Sequence, residues 1–473
     1  MHWSDRLVAA ISPRWAARRV ASRRALRFIE AASSNSTDFG RNTGRVADAL
    51  PTRVVARQRV RNLLATNPFA RKAMNALLNN MIGFGITGTP KKGTPAKLVK
   101  AWKKWIKKAD WLSHLDFYGL QELTVAAMLG DGDVFIIRRF EAGSGIVPLR
   151  LEVLDGGMLA LEKGEQGISY DERGRPASYH FRKHRAGGLA LSSNETVSFA
   201  AAEVIHLFRK DWPGQTRGRS MFESVIKRFE DLDAYFEAEV VRKQIEACFA
   251  AFITPSLEAG DLDLGNRDGT TTNNGFDQET LEPGMMARLN PGDTVTFGTP
   301  RVTVGMAEFS RVTLLSSSAG VGVTYEHGSG DLSNVNYSSY RAGKLEFERF
   351  CGRLQWLLIV PVMLERIWEW FLDDAYSVGI ASSRDYEIDW TPPSFGSVDE
   401  EKETRAAVAR MESGLSSRRK EIAARGEDHD ETLAEIAADL EAQKTLKLGF
   451  AGDPRAPQQQ QTGDANAAVQ AAA

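Results

Sequence analysis

The sequence has few of the residues and patterns from which catalytic or metal sites are built. Its 473 residues include two cysteines and seven histidines. It contains no GxxxxGK[ST] phosphate loop, no HExxH, no CxxC pair and no Gly-x-Ser-x-Gly elbow. The acidic pair Asp131 and Asp133 stands in a GDGD turn, a context that occurs without metals. These absences argue against an enzyme and predict neither a metal nor a cofactor.

An excess of one charge is lacking as well. Lysine and arginine together number 60 against 61 for aspartate and glutamate, so the formal net charge is −1. Tight binding of phosphates normally requires a clear basic excess. The overall composition therefore gives no argument for a protein that holds nucleic acid tightly.

Long apolar runs are also missing. The most apolar stretch, LLIVPVMLERIWEWFL from Leu357, is interrupted by charges before it reaches the roughly 18 residues that a membrane span needs. The basic N-terminus lacks the apolar core and cleavage site of a signal peptide. The two cysteines, Cys248 and Cys351, stand among apolar residues, which predicts buried, reduced thiols. We expect neither secretion nor membrane insertion, and the thiols fit a reducing cytoplasm.

The most distinctive stretch runs from Ala319 to Glu348. A Ser- and Gly-rich approach leads into the polar segment Tyr325–Asn336, and an amphipathic helical pattern begins near Asn336. Gly328 and Gly330 permit unusual dihedrals, and the Asn and Ser side chains can hydrogen-bond their own backbone. The sequence therefore predicts a mobile, exposed loop.

Three residues of this loop, Glu326, His327 and Asp331, are of types that bind metals or move protons. Such chemistry requires a rigid surrounding shell, which a flexible loop does not offer. We therefore favour a non-catalytic role for the loop.

Two earlier segments have helical periodicity. Residues 53–82 predict a core helix that ends at Gly83 and Gly85. The segment KLVKAWKKWIKK from Lys97 places two tryptophans on one face and lysines on the other. Basic residues interleaved with tryptophan can stack on nucleic-acid bases, but tryptophans at this spacing are more often core residues. We favour the core interpretation, with the lysines facing solvent.

Between about Asp133 and Phe208 the pattern changes to short apolar runs separated by turns. This pattern predicts a β layer of four to six strands. His206 stands within one of these strands among apolar residues, and no second histidine or cysteine occurs at ligand spacing. A structural histidine is the favoured interpretation.

A long helix is predicted to begin at Ser220. Ser220 and Glu223 have the spacing of a capping box, and apolar residues then recur at three- and four-residue steps to about Phe249. Such a helix, about 45 Å long at 1.5 Å per residue, could cross the waist of a ring or belong to a single-chain bundle. Its apolar stripe is predicted to need neighbours from other chains. The stripe comprises Phe222, Val225, Phe229 and Phe236.

Five blocks of sequence, in order, resemble the lambda-type family of tailed-phage portal proteins, the ring at the capsid vertex through which DNA enters and leaves. The resemblance covers about Asn35 to Asp389, and five ordered blocks are more specific than any short motif. The blocks are RQRVRNLLATNPFARKAMNALLNNMIGFGI from Arg57, LEVLDGGML from Leu151, VIHLFRKDWPGQTRGRS from Val204, PGMMARLNPGDTVTF from Pro283 and GVGVTYEHGSGDLSNVNYSSYRAG from Gly320.

The resemblance implies an α+β portal fold, mainly helical with a β layer in the wing. The implied regions are a basic N-terminal arm 1–34, the first part of the wing 35–216, a stem helix 217–250, the clip 251–304, a second stem helix 305–320, the tunnel loop 321–336, a long wing helix and wing end 337–396 that is kinked at Pro361, a helical crown 397–452 and a disordered tail 453–473.

The resemblance also implies a homododecameric ring in the virion that assembles in the host cytoplasm and is not an enzyme. The implied partners are double-stranded DNA in transit, the terminase large subunit, the major capsid and scaffold proteins, and neck or head-completion proteins. A virion adaptor without DNA passage and, less favoured, a DNA-processing enzyme stay open as alternatives.

The resemblance assigns residues to the channel and to the start of the wing helix. The channel residues are Tyr325, Glu326, His327, Ser329, Asp331, Ser333, Asn334 and Asn336. The wing-helix start comprises Tyr337, Ser338, Ser339 and Arg341. A near-neutral chain suits a channel that must not hold DNA.

Overall fold

The structure is a computed structural model that describes residues 50–141, 147–183, 195–247, 251–254, 294–297, 305–396, 399–427 and 429–446. The fold is α+β, as predicted, and helices predominate. The predicted arm 1–34, most of the predicted clip, Cys248 and the tail 453–473 lie outside the described residues.

The helices are given in chain order. They are α1 Leu50–Thr66, α2 Pro68–Met81, α3 Ala96–Ile106, α4 Phe117–Asp131, α5 Ile226–Ala247, α6 Met306–Val321, α7 Tyr325–Ser329, α8 Tyr337–Leu354, the π-helix Gln355–Leu364, α9 Glu365–Ser377, α10 Glu400–Glu412, α11 Arg418–Ala424 and α12 His429–Leu446. Short 3₁₀ turns occupy Ala201–Glu203 and Glu223–Val225.

Ten strands accompany the helices. They are β1 Thr87–Pro90, β2 Asp133–Phe140, β3 Leu149–Asp155, β4 Ile168–Tyr170, β5 Pro176–Arg182, β6 Thr196–Ala200, β7 Val204–Phe208, β8 Ala251–Thr254, β9 Thr294–Phe297 and β10 Ile388–Thr391. β1 pairs with β10 and β8 with β9 in two-stranded sheets.

The described residues separate into two compact units. Those up to Ile86 and Pro90–Ile388 form the first unit, which contains helices α1 to α9. Thr87–Thr89 and the described residues from Asp389 onward form the second, which contains helices α10 to α12. The helical character predicted for 397–452 is confirmed for α10 to α12.

The predicted β layer is confirmed and has six strands in two antiparallel sheets. Their strand orders are β3-β2-β7 and β4-β5-β6. The alternation of side chains along each strand places one face of each sheet in a shared core. That core contains Phe135 of the first sheet and Tyr179 and Phe181 of the second.

The predicted core helix over 53–82 is in fact two helices. Asn67 interrupts the run because its side chain accepts a hydrogen bond from Ala70 N (2.8 Å) and Pro68 occupies the first helical position, where its missing N–H costs nothing. The Asn67 amide also donates to both carboxylate oxygens of Asp233, at 2.8 Å each, and so fixes α2 against α5.

The tryptophans of α3 are core residues, as favoured above. Trp102 and Trp105 are almost fully buried. Their rings stack with centroids 5.0 Å apart, and the ring of Trp102 meets Trp368 of α9 edge to face at 5.0 Å. The apolar face of α3 is thereby fixed against α9.

A buried ion pair joins the β layer to the segment that precedes α5. The Arg217 guanidinium is 1% exposed and donates through Nε to Asp133 Oδ2 and through Nη2 to Oδ1 (3.2 Å). Its remaining N–H groups reach the carbonyls of Gln166 (3.1 Å) and Gly156 (3.4 Å). The Arg217 side chain therefore connects its own segment to three others, at Asp133, Gly156 and Gln166.

The pKa values of Asp133 and of the neighbouring His206 are both shifted by this buried environment. Burial would raise the pKa of Asp133, but the charge of Arg217 and the hydrogen-bond donors around the carboxylate outweigh it and hold that pKa far below its usual range. The side chain of His206 is almost fully buried, and its ring stacks on Phe135 with centroids 4.3 Å apart. Burial lowers the pKa of His206. Its Nε2 has no hydrogen-bond partner among the described residues and lies 3.6 Å from Asp133 Oδ2.

The helix predicted from Ser220 begins later, at Ile226. The Ser220 hydroxyl accepts from Phe222 N (3.1 Å) and donates to Leu129 O (3.1 Å), while Glu223 pairs with Arg219 instead of closing a capping box. A 3₁₀ turn occupies the interval. The capping-box prediction is therefore wrong, because Ser220 bonds to Leu129 of α4 and Glu223 pairs with Arg219, four residues before it.

The prediction that the stripe on α5 needs neighbouring chains is also wrong. Phe222, Val225 and Phe229 are buried within one chain, and Phe236 is half-buried with its ring 6.3 Å from Phe69. Val225 packs so closely on Gly320 of α6 that a Cβ there would lie 2.3 Å from Val225 Cγ1. Glycine at position 320 therefore lets α6 approach the 3₁₀ turn that precedes α5.

The long helix after Asn336 is continuous through three segments, α8, the π-helix and α9. The π-helix surrounds Pro361, where the sequence predicts a kink, and in it the Glu365 N–H donates to Val360 O five residues earlier. Proline has no N–H to donate and its ring crowds the preceding turn, so the wider hydrogen-bonding pattern accommodates it.

We expect Arg217→Met to lower the free energy of unfolding by about 3–5 kcal/mol, because Asp133 would stay buried without its partner. The exposed pair Arg405–Glu401, with side chains 78% and 73% exposed, supplies the control variant Arg405→Met, whose cost should stay below about 1 kcal/mol. Urea denaturation followed by tryptophan fluorescence measures both.

The contribution of the Asp133–Arg217 pair should depend on pH. Because the folded pKa of Asp133 lies below the unfolded value, the stabilisation is complete above about pH 4 and declines as the pH falls below it. Equal losses in Arg217→Met and Arg405→Met at pH 7 would contradict this role of the pair.

Candidate functional site

The candidate site is the segment from Gly322 to Arg341, between α6 and α8. Gly322 ends α6 in the left-handed conformation, with φ 87°. Thr324 then caps α7, and its hydroxyl accepts from His327 N at 3.4 Å. The predicted mobile loop is therefore helical in its first five residues, because Thr324 supplies a cap and Val321 and Val323 are buried beside it.

Close packing fixes α7 against two longer helices. Gly328 is buried, and a Cβ there would lie 2.2 Å from Ser318 Oγ of α6. Gly330 ends α7 with φ 79°, and a Cβ there would lie 2.8 Å from Lys72 Cε of α2. Close approach requires glycine at position 328, whereas the left-handed backbone conformation requires it at position 330, because the end of the Lys72 side chain can move.

Asp331 organises the turn that follows α7. Its carboxylate accepts from Ser333 N (3.0 Å), Ser333 Oγ (2.6 Å) and the Tyr325 hydroxyl (3.1 Å). The bonds from Ser333, followed by the bond from Tyr325, lower the pKa of Asp331. The Arg311 guanidinium lies 5.8 Å from the centroid of the Tyr325 ring. The turn is held by its own side chains and stays anionic at neutral pH.

His327 is turned into the protein and away from the exposed turn. Its Nδ1 lies 2.7 Å from the Thr324 hydroxyl, and its ring centroid lies 4.7 Å from that of Phe347 in α8. Burial lowers the pKa of His327. Partial burial disfavours the charged form, so His327 takes up a proton at a lower pH than an exposed histidine does.

The exposed part of the segment follows α7. Leu332 is 61% exposed, and Ser333, Asn334 and Asn336 are exposed beside it. The exposed residues at the start of α8 are Tyr337, Ser338, Ser339 and Arg341. Tyr325, Glu326 and Ser329 are only partly exposed. The structure thus divides the predicted channel residues into an inner helical group and an outer group in the turn.

Asn336 connects the turn to α8. Its side chain accepts from Ser339 N (2.8 Å), and Ser339 Oγ donates to Asn336 O (3.1 Å). This is the side-chain cap that a helix start requires. The predicted start of the helix near Asn336 is confirmed.

Glu326, His327 and Asp331 do not combine into a metal-binding or proton-transfer group. His327 bonds to Thr324, while Asp331 bonds to Ser333 and Tyr325. Among the described residues no group of three or more His, Cys, Asp or Glu side chains is placed to hold a metal ion. Within the same ranges no helix is long and apolar enough to cross a membrane.

Two basic residues near the segment were missed from the sequence. Lys72 lies beside Gly330, and Arg311 lies beside Tyr325. Lys72 is some 250 residues away along the chain, so no local pattern indicates its proximity. Cys351, in contrast, is buried as predicted, and burial raises the pKa of its thiol to about 12.

A family described as "Phage portal protein, lambda family" matches residues 33–355. The chain is 23% identical over 424 residues to the probable portal protein of Halomonas phage phiHAP-1, covering 83% of this chain and 81% of that one. It is 28% identical over 264 residues to portal protein B of Escherichia phage lambda, covering 50% of this chain and 49% of the relative. It is 27% identical over 259 residues to the portal protein of Escherichia phage N15, covering 49% of each.

The alignments with the lambda and N15 proteins thus span about half the length of each relative. Two solved structures are similar at 14% identity. A chain in the neck of a native gene transfer agent particle computed with C12 symmetry has a TM-score of 0.47 and covers 78% of this chain and 93% of that one. A chain in the virion of a native gene transfer agent particle has a TM-score of 0.48 and covers 85% and 98%.

We expect Gly328→Ala to destabilise the first unit by about 1–3 kcal/mol, because the added methyl group would overlap Ser318 Oγ. Adding Ser318→Ala should recover part of the loss, since it removes the overlapping oxygen. Urea denaturation of the single and double variants gives the interaction free energy.

Gly343→Ala is the matched control. Gly343 lies within α8, and its added Cβ would meet Thr324 Cγ2 at an ordinary 3.6 Å. There alanine should be neutral or stabilising by up to about 1 kcal/mol. A Gly328→Ala protein as stable as Gly343→Ala would show that α7 is not packed as described.

Proposed function

This chain belongs to the lambda family of phage portal proteins, and we propose that it forms the ring at one capsid vertex through which double-stranded DNA is packaged and ejected. The observation that carries the proposal is the family match over residues 33–355, more than half of the chain. The ring is a homododecamer that assembles in the host cytoplasm and becomes part of the virion.

Apolar side chains on α5 and α6 support assembly into a ring. Phe309 and Val312 of α6 are 47% and 60% exposed, and Val240 and Val241 of α5 are exposed too. The two helices adjoin, since the Tyr235 and Phe309 ring centroids lie 4.6 Å apart. Closed rings form through heterologous contacts, and exposed apolar surface on adjoining helices is a favourable site for one.

The regions implied by the resemblance can be assigned to observed elements. In this proposal α5 and α6 form the stem, the intervening chain with β8 and β9 forms the clip, and α8 to α9 form the long wing helix. The helices α10 to α12 form the crown. The partners are the terminase large subunit, the major capsid and scaffold proteins, and neck or head-completion proteins.

We propose that Tyr325–Asn336 faces the channel. Within it the charged side chains are Glu326 and Asp331, and Asp331 is held ionised by its hydrogen bonds. A ring of basic side chains would hold DNA by counterion release, whereas anionic and neutral side chains let it pass. The packing of Gly328 and Gly330 gives the segment a fixed shape, so twelve copies would make a constriction of constant diameter.

The protein is proposed to act without catalysis. The family match supports this, as does the lack, among the described residues, of three or more His, Cys, Asp or Glu side chains placed to hold a metal ion. A DNA-processing enzyme is the less favoured alternative.

The purified protein should have the mass of twelve copies of the 52.2 kDa chain, about 630 kDa, by sedimentation equilibrium. Phe309→Asp with Val312→Asp should reduce it to a folded monomer, because charges would be buried at the proposed contact. Leu415→Asp, at a position 79% exposed in the second unit, is the control and should leave the mass unchanged. A folded monomer for the parent protein at micromolar concentration would overturn the ring.

A positive charge added to the turn should slow DNA movement. Replacing both Glu326 and Asp331 with lysine adds charge but also breaks the bonds of Asp331, so Asn334→Lys is the cleaner change, since Asn334 is exposed. We expect intact rings and slower packaging or ejection, most strongly at low salt, where screening is weakest. The control is Asn334→Gln.

Normal packaging and ejection by Asn334→Lys particles in low salt would place the segment outside the channel. If the rings assemble into particles and no loop variant affects DNA movement, the adaptor alternative is favoured.

A further inference from the structure

The lysines of α3 form a separate charged surface. Between Lys91 and Lys108 the chain has eight lysines and no aspartate or glutamate, in a protein whose net charge is −1. Lys100, Lys104 and Lys107 are exposed and follow one another at steps of four and three residues, so they lie along one side of the helix. Lys108 is exposed in the turn that follows. We call these four residues the lysine ridge.

Within the part of the chain that the structure describes, the lysine ridge is not neutralised. No described residue forms an ion pair or hydrogen bond with the side chains of its four lysines. Arginines of the adjacent β layer, by contrast, are paired, for example Arg139 with Glu152 and Arg150 with Glu141. Unlike those arginines, the ridge keeps its charge available to a ligand.

The acidic side chains that follow the ridge are turned elsewhere. Asp110 is buried and accepts from the backbone N–H groups of Leu112, His114 and Leu115. Asp116 accepts from Gly119 N at 2.8 Å as the cap of α4. Neither carboxylate is directed at the lysines.

The opposite face of α3 prevents the ridge from rotating inward. Trp102 and Trp105 are buried, and the Trp105 indole donates to Leu149 O at 2.8 Å. The aromatic contacts of Trp102 with Trp368 and Phe371, at 5.0 and 4.9 Å, fix the same face. The ridge is therefore a rigid row of charges about 10 Å long between Lys100 and Lys107, at 1.5 Å per residue.

We propose that the lysine ridge binds duplex DNA through its phosphates, without sequence preference, at a place distinct from the channel segment. The inference rests on the proposed function, which supplies duplex DNA as a ligand. A duplex presents about one charge per 1.7 Å of its axis, so a row of this length faces about six phosphate charges. The lysines bind them as point charges.

The composition of the ridge favours DNA over an acidic protein. Anchors of protein interfaces are typically tryptophan, tyrosine and arginine, and lysine is depleted there. The tryptophans of α3 are buried on the other face and the exposed row is lysine alone. Such a surface provides charge without the apolar contacts that give a protein partner its specificity.

Binding of a fluorescent, covalently closed circular duplex to the full-length protein tests the proposal. Closed circular DNA has no end to thread through a ring, so binding reports on surfaces outside the channel. We expect log K to fall linearly with log[salt], and we expect the triple variant Lys100→Gln, Lys104→Gln, Lys107→Gln to reduce that slope by about 0.9 per lysine. Sedimentation of the same samples shows whether the rings stay intact.

The matched control is Arg418→Gln, Arg419→Gln, Lys420→Gln, which removes the same charge from exposed residues of α11. An unchanged slope in the ridge variant, or an equal change in the control, would overturn the proposal. So would ridge-dependent binding of linear but not circular DNA, which would place the ridge in the channel. Tighter ridge-dependent binding of polyglutamate than of DNA would assign it to an acidic protein instead. If the rings stay intact, none of these results would contradict the proposed function.

Discussion

The ion pair between Asp133 and Arg217 is the constraint on which the arrangement of the first unit depends. It joins the start of β2 to the chain that enters α5, and the same guanidinium bonds to the carbonyls of Gly156 and Gln166. Charges this deeply buried are costly unless every donor and acceptor is satisfied, which restricts the chain to one arrangement. Gly132 and Gly218 meet at this junction, where a Cβ on Gly218 would lie 1.8 Å from Gly132 O. The direction of α5 is therefore set by the β layer.

The position of α5 in turn affects the helices that surround the candidate site. α5 packs on α6, and α6 in turn packs on α7 through Ser318 and Gly328. Close contacts through α5, α6 and α7 thus connect the buried ion pair to the turn at Asp331. The first five residues of the segment are helical and packed on α6, while the mobility expected of the segment stays a prediction. A channel built from such segments would guide DNA by its dimensions and charge.

The sequence predicted features that depend on local periodicity and missed those that depend on distant partners. The β layer, the core tryptophans of α3 and the helix start at Asn336 follow from patterns within a few residues. The break at Asn67 is an exception, because it has a local signal, the cap at Asn67 followed by Pro68, which a bond to Asp233, 166 residues away, reinforces. Ser220 and Glu223 have the spacing of a capping box, yet Ser220 bonds to Leu129, 91 residues away, and Glu223 pairs with Arg219 of the preceding turn. The helix α7 depends on burial against α2 and α6, which the spacing of Gly328 and Gly330 alone does not reveal.

The π-helix at Pro361 has a consequence for how the length of this segment can change in evolution. A π-helical turn holds about one residue more than an α-helical turn, so removing one residue between Gln355 and Leu364 would restore α-helical bonding and leave Trp368 and Phe371 on the face that packs on α3. Each residue advances an α-helix by about 100°, so the same deletion between Glu365 and Ile367 would rotate those two rings away from the aromatic cluster. Homologous chains should therefore differ by one residue within the π-helix more readily than in the α-helical turns beside it.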